Sequence, residues 1–172
     1  SNVRVGPTTF LVELLNGSQN TVVDSRLSRL YTIRGSQTEI QGNTQGGGDQ
    51  PSRLGLGLLN SPSQDGYIMT AAESLFLQAE AVERGYLNAG DAKQLFQDGI
   101  RASFSMLGAS DVEDYLTDSD NVSSIGWEGS SDKIEAIITQ KWIALGGTNG
   151  AETWIEFNRT GFPSNMPLPE IT

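Results

Sequence analysis

Two carboxylate pairs are the groups with the clearest chemical potential: Glu113 with Asp114, and Asp118 with Asp120. Two acids flanking one glycosidic bond at a fixed separation are enough to hydrolyse it. A general acid, however, needs apolar surroundings that raise its pKa. These four sit in a polar run, residues 102–132, that carries seven acids and no base. Solvated charge is the reading that fits. Asp118-Ser119-Asp120-Asn121 alternates acids with an amide, but the glycine and distal glutamate of an EF-hand loop do not follow. Gly46-Gly47-Gly48-Asp49 lacks the lysine and the following helix of a phosphate loop. The chain contains no cysteine and no histidine, which excludes thiolate nucleophiles, imidazole bases and zinc sites built on either. No catalytic residue, metal site or cofactor is expected, and the protein is read as a non-enzyme.

The elements that would position any site must come from 172 residues, 37% of them hydrophobic. That is one domain, or a large piece of one, with a real core. The net charge of -10 is uneven, since residues 1–65 carry five acids and five arginines. The acidic excess therefore lies in the later part and disfavours nucleic acid and anionic membrane surfaces. No apolar stretch reaches bilayer-spanning length, and no signal peptide or lipid-attachment cysteine is visible at the start. The opening Ser1-Asn2 reads as a cloning scar, and a fragment is expected.

Phe10, Leu11, Leu14 and Leu15 fall at helical spacing between capping candidates Thr8 and Thr9 and a stop at Gly17. Residues 24–33 follow, extended in their second half. Residues 35–66 hold eight of the 20 glycines, with Pro51 and Pro62, and read as a long loop, a type often functional. In residues 67–108 the spacing predicts two amphipathic helices. Ala72, Leu75, Phe76, Ala79 and Val82 form one face; Ala92, Leu95, Phe96, Gly99, Ile100, Ser103 and Leu107 form the other, between an Asp91 cap and a Gly108 stop. Ala92, Phe96 and Gly99 match the small–aromatic–small spacing of a tetratricopeptide second helix. Residues 109–131 read as irregular. Within 132–163, Asp132 caps a helix with Ile134, Ile138, Trp142 and Leu145 on one face. A short helix from Glu152 to Asn158 then stops at Gly161 and Pro163. The fold class is mainly α: a helical bundle with a tetratricopeptide-like hairpin and long irregular loops. Trp142 and Trp154 are both expected in the core, where aromatics at helical spacing usually lie.

Four stretches, MTAAESLFLQAEAVERG, DAKQLFQDGIRAS, ITQKWIALGG and ETWIEFNRTGFP, taken in order, resemble the C-terminal half of SusD/RagB proteins. Asp24-Ser25-Arg26-Leu27 resembles that family's Asp-Pro-Arg-Leu, with serine for proline, and Asn158 and Phe162 replace its usual arginine and tyrosine. The resemblance covers roughly residues 10–165. It implies a bacterial outer-membrane lipoprotein, anchored through a lipid outside this fragment, that captures an oligosaccharide or other nutrient for a SusC-like TonB-dependent transporter. The alternative is a helical protein–protein interaction scaffold that binds no sugar. Glycan capture needs exposed aromatic faces with polar groups around them. Aromatics in loops fit best, which selects Trp127, Tyr115 and Tyr67 as ligand candidates. Trp127 is flanked by small residues that would let its ring sit open, or fold back as a lid. Arg159, like Trp142 and Trp154, is assigned a structural role: its guanidinium ties the last helix to neighbouring backbone or to a carboxylate.

Overall fold

A computed structural model describes residues 6–44 and 50–168 of the chain; residues 46–49, the glycine run, lie outside them. The first helix, α1 (Thr9–Leu15), starts where Thr8 accepts a hydrogen bond from the Leu11 amide at 3.2 Å. It buries Phe10, Leu11, Val12, Leu14 and Leu15. A five-residue helix, α2 (Arg26–Leu30), runs directly into β1 (Tyr31–Thr32), which pairs antiparallel with β2 (Arg53–Leu54). Tyr31 faces Leu54 and Thr32 faces Arg53. This two-residue ladder closes the base of the long loop between the strands.

The centre of the fold is the hairpin of α3 (Ala71–Glu83) and α4 (Ala92–Leu107). Thr70 and Asp91 cap the two starts by accepting the Glu73 and Gln94 amides, and Gly108 ends α4 in the left-handed region at φ 65°. Phe76 and Phe96 meet edge to face with centroids 6.2 Å apart. The close approach depends on Gly99, because a Cβ there would lie 2.7 Å from a ring carbon of Phe76. Gly99→Ala is therefore expected to destabilise the fold by about 1–2 kcal/mol. This reverses the roughly 1 kcal/mol gain that alanine brings to an unconstrained helix interior. Thermal unfolding of the variant checks the sign.

Three more helices complete the bundle: α5 (Val112–Ser119), α6 (Lys133–Leu145) and α7 (Gly150–Thr160). The helix α5 departs from the irregular segment expected there. Glu113 and Asp114 occupy its first turn, where acids are favoured by the helix dipole, while Tyr115 and Leu116 turn inward. The core-facing side of α6 is wider than one stripe. Ala136, Ile137, Ile138, Ile143, Ala144 and Leu145 are all buried, because α6 packs against both α3 and α4 and also carries α7. The mainly helical class, with its tetratricopeptide-like hairpin, is the one the sequence pattern predicts.

Candidate functional site

Beside α1 the long loop folds over to leave an open cleft of about 1020 Å³. The outward face of α1 contributes Thr9 and Glu13, with Asn16 capping its end; the loop contributes Arg34, Gln37, Glu39, Gln41 and Gln50, and β2 contributes Arg53. Gln37 organises this wall. Its amide oxygen accepts from the Arg34 backbone N–H at 2.8 Å and from the Ser52 hydroxyl at 2.8 Å. Its amide nitrogen donates to Gln41 Oε1 at 3.2 Å and to the Gln50 carbonyl at 3.1 Å. Backbone bonds seat the loop on α1: the Thr9 amide donates to the Asn43 carbonyl at 2.7 Å, and the Asn43 amide to the Pro7 carbonyl at 2.9 Å.

The cleft thus presents amides, hydroxyls, two guanidiniums and two carboxylates, with the charges balanced. Neutral amides and hydroxyls both donate and accept, which matches the hydrogen-bonding habit of a polyol. Both carboxylates, Glu13 and Glu39, are exposed, so neither has the apolar surroundings that would make it a general acid. Among the described residues no group of three or more acids, cysteines or histidines is arranged to hold a metal ion. Sequence reasoning passed over this cleft. Its signal was the density of amides and hydroxyls in Ser36-Gln37-Thr38-Glu39-Ile40-Gln41-Gly42-Asn43, a composition also typical of plain loop.

The three aromatic ligand candidates are scattered. Trp127 is 9% exposed, its ring tilted against Phe96 at 5.5 Å, with the Lys133 ammonium 5.7 Å from its centroid. It does not stand open. Gly126 explains why: a Cβ there would strike the Ser119 carbonyl oxygen, so the glycine serves close backbone packing that folds the indole inward. Tyr115, expected in a loop, lies on α5 and is 5% exposed. Its hydroxyl accepts from Gln140 Nε2 at 2.8 Å. Burial, together with the nearby Asp24 charge and against the pull of Arg26 and Gln140, raises its pKa and keeps the phenol neutral. Neither ring offers a face to a ligand. Tyr67 is 48% exposed, but it precedes α3 and takes no part in lining the α1 cleft.

The expected structural trio also divides. Trp142 is half-buried and meets Phe10 edge to face at 5.7 Å. Trp154 is 53% exposed and stacks on Phe157 at 6.0 Å, which corrects its placement in the core. The physical reason lies in how α7 docks: its one buried side chain is Glu156, so the charged face points inward and the aromatic face outward. Arg159 lies on the charged face and grips Glu80 of α3 through two bonds of 2.7 Å, while donating to Glu156 at 2.6 Å. Buried Lys141 of α6 reaches Glu156 at 3.3 Å and Glu152 at 3.2 Å.

A second polar centre ties the helices together. Fully buried Arg26 donates to Asp24 at 2.6 Å, to Gln140 at 2.9 Å and to Ser103 at 3.1 Å, with its guanidinium carbon 4.7 Å from the Phe104 centroid. One side chain of α2 thereby ties α4 and α6, and Gln140 extends the tie to α5 through Tyr115.

These features define a mainly helical protein built on a tetratricopeptide-like hairpin, with a polar cleft under a long loop. Residues 8–170 match a SusD-like family model described as "Starch-binding associating with outer membrane". The chain belongs to this SusD-like family. A SusD homologue from Bacteroides thetaiotaomicron is 30% identical over 98% of this chain and 40% of its own, with a TM-score of 0.75. A second SusD-like protein from the same organism is 28% identical over 92% of this chain and 39% of its own, with a TM-score of 0.73. A chitin-binding SusD homologue from Flavobacterium johnsoniae is 28% identical over 94% of this chain and 38% of its own, with a TM-score of 0.74. The chain thus spans about two fifths of the length of these relatives. No curated protein matches it. Among the described residues no helix is long and apolar enough to cross a membrane.

Proposed function

We propose that the chain binds a glycan without chemistry, through the α1 cleft, as part of a nutrient-capture protein at the outer membrane. Its partner on this reading is a SusC-like TonB-dependent transporter, and a lipid anchor outside these residues holds the protein at the cell surface. The observation that carries the reading is the amide- and hydroxyl-rich wall organised by Gln37, found in a member of a family described as starch-binding. Sugar hydroxyls need partners that both donate and accept, and this wall supplies them already oriented. The exposed carboxylates support capture over hydrolysis.

Calorimetry of the full-length protein with malto- and chito-oligosaccharides tests the proposal. The Arg34→Ala/Gln41→Ala double variant is expected to bind at least tenfold more weakly, a loss of about 1.4 kcal/mol. Unchanged affinity in that variant, with loss in Tyr67→Ala, would move the site to the segment before α3. Silence across both glycan series would sink the capture reading. A scaffold that grips a partner protein is the second reading, favoured by Tyr86 and Leu87, both exposed at the turn between α3 and α4. Recovery of a transporter from membrane extract, undiminished in Arg34→Ala/Gln41→Ala and absent in Tyr86→Asp, would support it.

A further inference from the structure

The helix α7 is amphipathic in the reverse sense. A surface helix ordinarily buries its apolar stripe and hydrates its charges. Here Glu156 is buried, Lys141 and Arg159 close over it, and Trp154 and Ile155 are 53% and 56% exposed. Phe157, half-buried, continues the same patch through its stack with Trp154. The ionic attachment is specific, since both oxygens of Glu80 and both of Glu156 are engaged by Arg159. The helix is held in one orientation with its apolar side facing out.

An exposed tryptophan–isoleucine–phenylalanine patch on a pinned helix marks an interface. The size of the patch restricts the occupant. Each large aromatic buries about 150–250 Å² when fully covered, so three side chains, partly covered already, fall short of the roughly 800 Å² per partner of a stable separate-chain interface. A segment tethered to the same polypeptide needs less area, because tethering sets a high effective concentration. The relatives supply such length: this chain covers only 39% and 40% of two of them. The α3–α4 hairpin belongs to a repeat type that stacks on neighbouring hairpins.

We infer that the Trp154–Phe157 face of α7 is the seat of an amphipathic helix belonging to the same polypeptide and lying outside these 172 residues. The occupant lays its apolar stripe over Trp154 and Ile155 and thereby excludes water from the outer side of α7. The ionic bonds to Glu80 and Lys141 set the angle at which that seat is presented.

Hydroxyl-radical footprinting of the full-length protein, set beside the 172-residue chain, tests this. Labelling of Trp154 is expected to fall at least about tenfold in the full-length protein, because a covered contact excludes water, while Tyr86 is labelled equally in both. Equal labelling of Trp154 in the two would overturn the inference. A second measurement uses the full-length protein alone, so it does not require the shorter chain to fold. Trp154→Asp is expected to lower the melting midpoint clearly, whereas Ile68→Asp, at a position 95% exposed, leaves it in place. Equal midpoints for both variants count against the seat. So does a dimer of the full-length protein that Trp154→Asp dissolves, since the occupant is then a second copy.

Discussion

Arg26→Ala is expected to lower the free energy of unfolding by about 3–5 kcal/mol, the range seen when one partner of a buried ion pair is removed. The truncation leaves Asp24, only 2% exposed, without its counter-charge. It also leaves the Ser103 hydroxyl and the Gln140 carbonyl oxygen without the donor that reaches them at 3.1 and 2.9 Å. The aromatic walls of Phe104 and Tyr115, with centroids 4.7 and 5.3 Å from the guanidinium carbon, would then line a void. Denaturant titration measures the loss. The companion variant Asp24→Leu/Arg26→Met removes both charges together and is expected to be more stable than Arg26→Ala, because no bare carboxylate remains inside. If the single variant were as stable as the wild type, the knot would not hold these helices together.

Glu80→Gln is expected to cost about 2–3 kcal/mol at neutral pH, as a buried charge-assisted network loses its anion. Glu80 is nearly buried on α3 and accepts from Arg159 on one side and from Arg84, at 2.7 Å, on the other. Burial works against its charge, but the hydrogen bonds and charges of the two guanidiniums outweigh it, and the carboxyl titrates below its ordinary value. A carboxyl whose folded pKa is depressed adds stability above its unfolded pKa and withdraws it as pH falls through the folded one. The wild type is therefore expected to lose stability progressively below about pH 4.3, the ordinary glutamate range, and Glu80→Gln to lose less over the same interval. Parallel denaturation midpoints from pH 7 to pH 3 provide the comparison; identical slopes would contradict it. Arg159 is 43% exposed, so added salt should weaken this tie in part.

The caps and spacings of the hairpin were legible because local signals and tertiary packing agree there. Asp91 and Gly108 do in the fold what their types suggest. The helix α5 was hidden because acids in a first turn look the same in sequence as acids in a solvated loop. The sequence leaves Trp127 either open or folded back onto the bundle, and the structure takes the second. A Cβ on Gly126 would strike the Ser119 carbonyl, so that glycine serves close packing rather than freedom. Trp154 fails for a different reason. Periodicity shows that α7 has an apolar side, but not which side its neighbours within the chain will choose. Here a lysine and two glutamates on three different helices, Lys141, Glu80 and Glu156, settle the choice, and their meeting is a property of the tertiary structure. The α1 cleft was illegible for a related reason, since its opposing walls are joined by tertiary backbone bonds such as Thr9 to Asn43, which no local pattern announces.

The seam that fastens the long loop has an evolutionary corollary. Backbone bonds from Asn43 to Pro7 and from Ser52 to Gln41, with the short ladder at Tyr31 and Leu54, clamp both ends of the stretch between residues 43 and 52. Doubling the length of a clamped stretch adds only about 0.6 kcal/mol of closure entropy. A loop anchored in this way can change in length between its anchors while the helices are inherited unaltered.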